Sequence, residues 1–254
     1  MKFRCERDAL VEQLGTASRA VSSRGGALPV LTGIHLKAHK DTLTMTGSDL
    51  EITVRASVAV DVKKSGEAVL PSRIVVDIIR SLDSGAVEVE VSGEEAKISG
   101  GRSQFSVRTL PVDDFPALSD PSGDQVTVAT ADLAAGLKQV VRAASGDDAR
   151  PILTGVLMSA EDGGLRLVAT DSYRLAVRDL PEATVLSEGQ KVLVPSRALD
   201  ELSRVLGDSE EVNVRLGERE VSFDVSIEDG ACLLYTSDAA DEGLGVDLGG
   251  RRII

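Results

Sequence analysis

Apolar and polar positions follow two rhythms along the chain. Leu10, Leu14, Ala17 and Val21 recur at helical spacing, as do Ile74, Ile78, Ile79 and Leu82, and again Leu133, Leu137, Val140, Val141 and Ala144. This spacing predicts helices over 7–24, 71–82, 131–150 and 195–206. Between them LTMT, VEVEV and VNVRL alternate strictly, and SGEE, GER and DGG supply turn residues, so these stretches predict strands joined in hairpins. PSR at 71–73 and at 195–197 follows a short apolar strand and opens a helix, where the missing N–H of proline costs nothing. GGR at 100–102 closes a hairpin, and no helix follows it to receive a phosphate.

The pattern occurs twice. PVLTGIHL at 29–36 returns as PILTGVLM at 151–158, and the same offset lays LTMTGSDLEITVR at 43–55 over LRLVATDSYRLAV at 165–177, placing Asp49 on Asp171. VLPSRIVVDIIRSL at 69–82 matches LVPSRALDELSRVL at 193–206, and Arg19-Ala20 matches Arg142-Ala143. Each unit runs strand, helix, three strands, then the same again. Two α+β domains of one fold are therefore expected in tandem, each with two helices packed on antiparallel sheet. Their expected bounds are 1–115 and 125–231, with a linker at 116–124 inside a segment rich in Pro, Asp, Ser and Gly.

A chain of 254 residues with 42% hydrophobic content can bury two cores. No apolar run approaches a membrane span, and MKFRCERDAL carries charges where a signal peptide needs an apolar core, so cytoplasm is the expected compartment. Cys5 and Cys232 alone make no disulfide framework. The formal net charge of −13 is unevenly spread: the four predicted helices together carry +2 and the remainder −15. If the helices line one surface, a polyanion is admitted there and repelled elsewhere. The predicted helix faces present Arg7, Arg19, Arg24, Arg73, Arg80, Lys138, Arg142, Arg150, Arg197 and Arg204, and all of these but Arg7 and Arg19 are the candidate DNA-facing residues. With no Trp and 2% aromatic residues there is no stacking platform, so the contact would be with duplex phosphates, blind to sequence.

Catalytic chemistry finds little to stand on. His35 and His39 have no partner ligands at useful spacing, and Asp49 and Asp171, equivalent positions in tandem units, are too far apart to share a substrate and are expected to cap turns. No catalytic residue, metal or cofactor is expected. Two rival readings are a carboxylate-dependent hydrolase and a protein-interaction module without DNA function.

MKFRCERDAL, GSDLEI at 47–52, SGGRSQFSVRTLPVDDFPAL at 99–118 and VATDSYRLAV at 168–177 resemble signature stretches of the bacterial sliding clamp family, the beta subunit of DNA polymerase III. The resemblance covers about residues 1 to 230. It implies the DNA clamp fold and a non-catalytic processivity factor: a ring of two three-domain subunits, helices inside, sheets outside, and double-stranded DNA through the hole. It places Arg24 and Arg150 on DNA-facing loops. It also implies a pocket for short peptides of client proteins, the polymerase III catalytic subunit and the clamp loader among them, at Leu153, Thr170, Ser172, Tyr173, Arg174 and Leu175, lining a shallow apolar depression.

Past Gly230 the resemblance stops. CLLYTSDAADEGLGVDLGGRRII at 232–254 back-translates into codons matching an adapter ligated to DNA fragments for sequencing, with eight index bases between two constant parts. It is therefore expected to be a non-native tail, leaving the second domain without its own last strand and the chain without a third domain. ACLLYTS falls where SQFSVRTL stands in the first unit and is apolar enough to be laid down as a strand; 238–254 is expected to be loose. The family's homodimer ring is expected of a full-length protein and not of these residues.

Overall fold

The computed structural model describes residues 1–22, 28–117, 124–161, 164–180, 191–207, 209–217, 220–227 and 230–237. The first unit runs β1 (Lys2–Glu6), α1 (Arg7–Ala17), β2 (Gly33–His39), β3 (Thr42–Ser48), β4 (Ile52–Ala59), β5 (Asp61–Lys64), β6 (Gly66–Pro71), α2 (Ser72–Ser81), β7 (Ala86–Ser92), β8 (Glu95–Gly100) and β9 (Ser103–Arg108). The second runs β10 (Asp124–Ala129), α3 (Thr130–Val140), β11 (Gly155–Glu161), β12 (Gly164–Thr170), β13 (Leu175–Leu180), β14 (Lys191–Pro195), α4 (Ser196–Val205), β15 (Glu211–Leu216), β16 (Glu220–Ile227) and β17 (Gly230–Ser237). Among the described residues the order matches element for element except for β5, a short strand that lies along β1.

The first and third helices end earlier than their apolar spacing predicts. α1 gives way to a 3-10 turn at Ser18–Ala20 and α3 to another at Val141–Ala143. Local side chains then compete for the backbone: Ser18 Oγ donates to Gly15 O at 2.8 Å, Ser145 Oγ accepts from Asp147 N at 3.1 Å, and Asp147 Oδ1 accepts from Ala149 N at 3.1 Å. Arg150 therefore sits on a loop.

The duplicated phrase is one structural joint used twice. In each copy proline opens a 3-10 turn, Pro29–Thr32 or Pro151–Leu153. The threonine hydroxyl donates back to the proline carbonyl, Thr32 to Pro29 and Thr154 to Pro151, each at 2.8 Å. The glycine that follows is required by a close crossing: a Cβ on Gly33 would stand 2.6 Å from Val69 Cγ1, and one on Gly155 would stand 2.9 Å from Leu193 and from the Val194 carbonyl.

Three antiparallel sheets result, ordered β5-β1-β7-β8-β9, β13-β12-β11-β14, and β10-β15-β16-β17-β4-β3-β2-β6. The last crosses from one unit into the other. Its seam is β17, paired with β16 on one side and with β4 on the other in a register running from Ala231 opposite Ser57 to Thr236 opposite Ile52. ACLLYTS thus forms the strand expected of it, while 238–254 lies outside the described residues. The cores meet at the same seam: Ala20, Ile52 and Val54 of the first unit are fully buried within the core of the second, beside Val225, Phe223 and Cys232.

One buried site differs between the repeats in a compensated way. Gln13 of α1 is fully buried, and neither amide atom finds a hydrogen-bond partner among the described residues. Its counterpart is Gly136, where a Cβ would stand 3.3 Å from Arg178 Cγ. Ala56 holds the place that Arg178 takes in the second unit. The longer side chain of the pair thus stands on the helix in the first domain and on the sheet in the second.

Thr236 is fully buried, and its hydroxyl has no hydrogen-bond partner among the described residues, whereas the corresponding position of β9 is the apolar Val107. An unmade buried hydrogen bond is costly. Thr236→Val is expected to raise unfolding stability by about 1–2 kcal/mol, read from urea denaturation with unchanged slope. A loss of stability would show that the hydroxyl is satisfied in solution.

Candidate nucleic-acid interface

α2 and α4 share the pattern SR-x3-[DE]-x2-R, with Val75, Val76 and Ile79, or Ala198, Leu199, Leu202 and Val205, turned into the core. That leaves Arg73, Asp77 and Arg80 outside on α2, and Arg197 and Arg204 exposed on α4. α1 packs on α2, and α3 on α4. An open cleft of about 970 Å³ lies between the pairs, lined by Glu12, Arg19, Arg80 and Arg204 among others. Arg73 and Arg80 share a second depression with Asp77, and Lys138 and Arg142 a third with Asp200. The four helices form one band that carries most of the anticipated cations.

Several of these cations are already engaged. Glu201 of the second unit accepts Arg204 at 2.6 Å and Arg19 of the first unit at 3.2 Å. Arg197 reaches across the boundary to Asp49 Oδ2 at 2.8 Å. Asp49 Oδ1 meanwhile caps the β3–β4 turn, accepting from Glu51 N at 3.2 Å and Ile52 N at 2.8 Å. Sequence reasoning foresaw the cap but not these inter-unit ion pairs, for which the recurrence of both the Asp and the helix Arg was the available signal. Arg150 stands apart from the band, bound to Asp147 at 2.9 Å with Nη1 donating to Ser172 Oγ at 3.4 Å. Arg24 lies outside the described residues.

Arg150 thereby touches the second anticipated group, the β12–β13 hairpin. Thr170 Oγ1 donates to Arg174 O at 2.7 Å, and Asp171 Oδ1 accepts from Tyr173 N at 3.0 Å and Arg174 N at 2.9 Å. Ser172, with φ of 78°, repeats the left-handed Leu50 of the first unit. Tyr173 is 94% and Leu175 67% exposed; Leu153 is half-buried. Ile152 and Val177, not singled out by sequence, are also exposed on the adjoining turn and strand. Backbone N–H groups of Tyr173 and Arg174, then the Arg174 guanidinium, hold the Asp171 carboxyl below the usual range. A hydrolytic acid needs the opposite shift.

The remaining titratable candidates are spent on packing. His35 Nε2 stands 3.3 Å from Glu67 and its ring stacks on Phe115 at 5.1 Å, with burial lowering its pKa. Burial pushes the Cys5 thiol up to about 11 and the Cys232 thiol up to about 12.

Residues 1–119 match the model of the DNA polymerase III beta subunit N-terminal domain, and 127–235 that of its central domain. The chain belongs to the DNA polymerase III beta subunit family. The Beta sliding clamp of Streptomyces coelicolor is 36% identical over 219 residues, which cover 85% of this chain and 57% of that protein. That of Micrococcus luteus is 34% identical over 221 residues, 86% of this chain and 70% of that one. Among solved structures, the DNA polymerase sliding clamp of Bacillus subtilis superposes with a TM-score of 0.85 at 31% identity, over 94% of this chain and 64% of that one. The clamp of Pseudomonas aeruginosa bound to griselimycin gives 0.86 at 30%, over 94% and 65%. The chain thus spans somewhat under two thirds of most of these clamp relatives.

Both thiols of this clamp-family chain are held protonated and shielded. Native protein at pH 8 is expected to react with a thiol reagent at least tenfold more slowly than urea-unfolded protein; equal rates would show that β1 and β17 open readily.

Proposed function

We propose that this chain supplies two domains of a processivity clamp that holds the replicative polymerase on duplex DNA without reading its sequence. The observation that carries this reading is the helix band, on which Arg73, Arg80, Arg204, Lys138 and Arg142 line adjoining depressions. Glu12, Asp77, Asp200 and Glu201 are interleaved with them, so few phosphates would be neutralised at once. Weak phosphate contact suits a protein that must slide. Topology, by this reading, supplies retention: the longer protein closes a homodimeric ring in the cytoplasm, and the chain catalyses nothing itself.

The apolar side chains around the β12–β13 hairpin, with Arg150 and Arg174 beside them, support a second role in the same reading. They would receive short peptides carrying an aromatic or leucine anchor from the polymerase III catalytic subunit and the clamp loader.

The two roles separate experimentally. Replacing Arg73, Arg80, Lys138 and Arg204 with Gln is expected to lower duplex affinity equally for unrelated sequences and to flatten the plot of log affinity against log salt by up to about four phosphate contacts. A sequence-dependent loss, or an unchanged slope, would remove the band from the function. Tyr173→Ala with Leu175→Ala should weaken a leucine-bearing client peptide at least tenfold by titration calorimetry while leaving duplex binding alone. Peptide binding unaffected by this pair would place the client site elsewhere.

A further inference from the structure

Arg197 and Asp49 meet across the boundary between the two units, and the two sides of that contact are built differently. Arg197 is the second residue of α4, next to the buried Ala198 and Leu199, and its own side chain stays 56% exposed. The Asp49 side chain is only 12% exposed and is fixed by its own turn. Its two oxygens divide the work: Oδ1 accepts from Glu51 N and Ile52 N, while Oδ2 stands 2.8 Å from Arg197 Nη1. The turn does not by itself require such a partner on a helix. Asp171 caps the equivalent turn in the same way, yet its Oδ2 takes Arg174 Nε of the same hairpin at 3.0 Å.

We propose that Asp49 limits the hold of the helix band on duplex DNA by neutralising Arg197, a cation otherwise placed to meet a phosphate. The inference rests on the duplex-binding reading above and adds to it a residue that opposes binding. A phosphate that approaches the exposed side of Arg197 also approaches the carboxylate bound to it, so attraction and repulsion largely cancel and few counterions are released by the contact. The Asp49 carboxylate does not swing away to relieve this, because two backbone N–H groups hold its other oxygen. Asp49 therefore touches no nucleic acid itself and acts through Arg197, as a positioning residue. The second inter-unit pair, Arg19 with Glu201, is less separable, since Glu201 also holds Arg204 on its own helix.

Asp49→Asn separates the two duties of the side chain. The amide oxygen can keep the turn, while the NH2 group only donates and offers Arg197 nothing. Duplex affinity of the whole chain at low salt is expected to rise about three- to tenfold, equally for unrelated sequences, and the plot of log affinity against log salt to steepen by about one phosphate contact. Asp49→Ser, whose hydroxyl also caps such turns, is measured beside it and should show the same gain. A merely structural role predicts otherwise, because a loosened turn supplies no cation and cannot steepen the salt dependence. On an Arg197→Gln background Asp49→Asn should raise affinity less than about twofold and leave the slope alone, there being no cation to release. An unchanged slope in both Asp49 variants, or an equal gain with Arg197→Gln present, overturns the proposal. The reading beneath it is tested apart, by replacing Arg73, Arg80, Lys138 and Arg204 with Gln. If that replacement leaves the slope unchanged, the duplex reading falls and this inference with it. If it flattens the slope while the Asp49 variants gain none, this inference alone falls.

Discussion

The architecture depends on the backbone ladder between β17 and β4. The second unit does not close its helix-bearing core alone: Ile52 and Val54 of the first unit lie within it, on the strand that β17 pairs with. Because edge pairing satisfies N–H and C=O groups whatever the side chains, the ladder sets both the distance and the orientation of the domains. The ion pairs of Arg197 and Arg19 then form across a boundary already fixed. In each pair the carboxylate is largely covered while the guanidinium keeps contact with water, so solvent screens the attraction and its contribution to stability is modest.

That dependence also bears on charge. Helix faces with a cationic bias invite the idea that each Arg is available to phosphate. In the folded chain Arg197 and Arg19 first serve the domain boundary, and Arg204 shares Glu201 with Arg19. The band is consequently less positive than its Arg and Lys content suggests, as the proposed weak phosphate contact would require.

Much of this was legible in the sequence because it is written twice. Helical and alternating spacing located α1 to α4 and the hairpins, and the recurrence of PVLTG, of Asp49 and of SR at the start of α2 identified the repeat. The ends of α1 and α3 were not legible: apolar spacing continues past Ala17 and Val140, while Ser18, Ser145 and Asp147 bond to the local backbone at or beyond those ends. Nor was the attachment of Arg150 to Ser172, since contact between residues 22 apart depends on how two turns fold against each other. The group at 170–175 was located as a hairpin, but the exposure of Ile152 and Val177 beside it followed only from the fold.

The exchange between Gln13 and the pair Gly136 and Arg178 bears on ancestry. If both units descend from one duplicated domain, a helix side chain grew as a strand side chain shrank on one branch, or the reverse on the other. Neither change could have been tolerated for long alone, since one order leaves a void and the other a clash. The two halves have thus drifted by coupled steps. A transplant of one helix into the other domain would have to carry its partner strand with it.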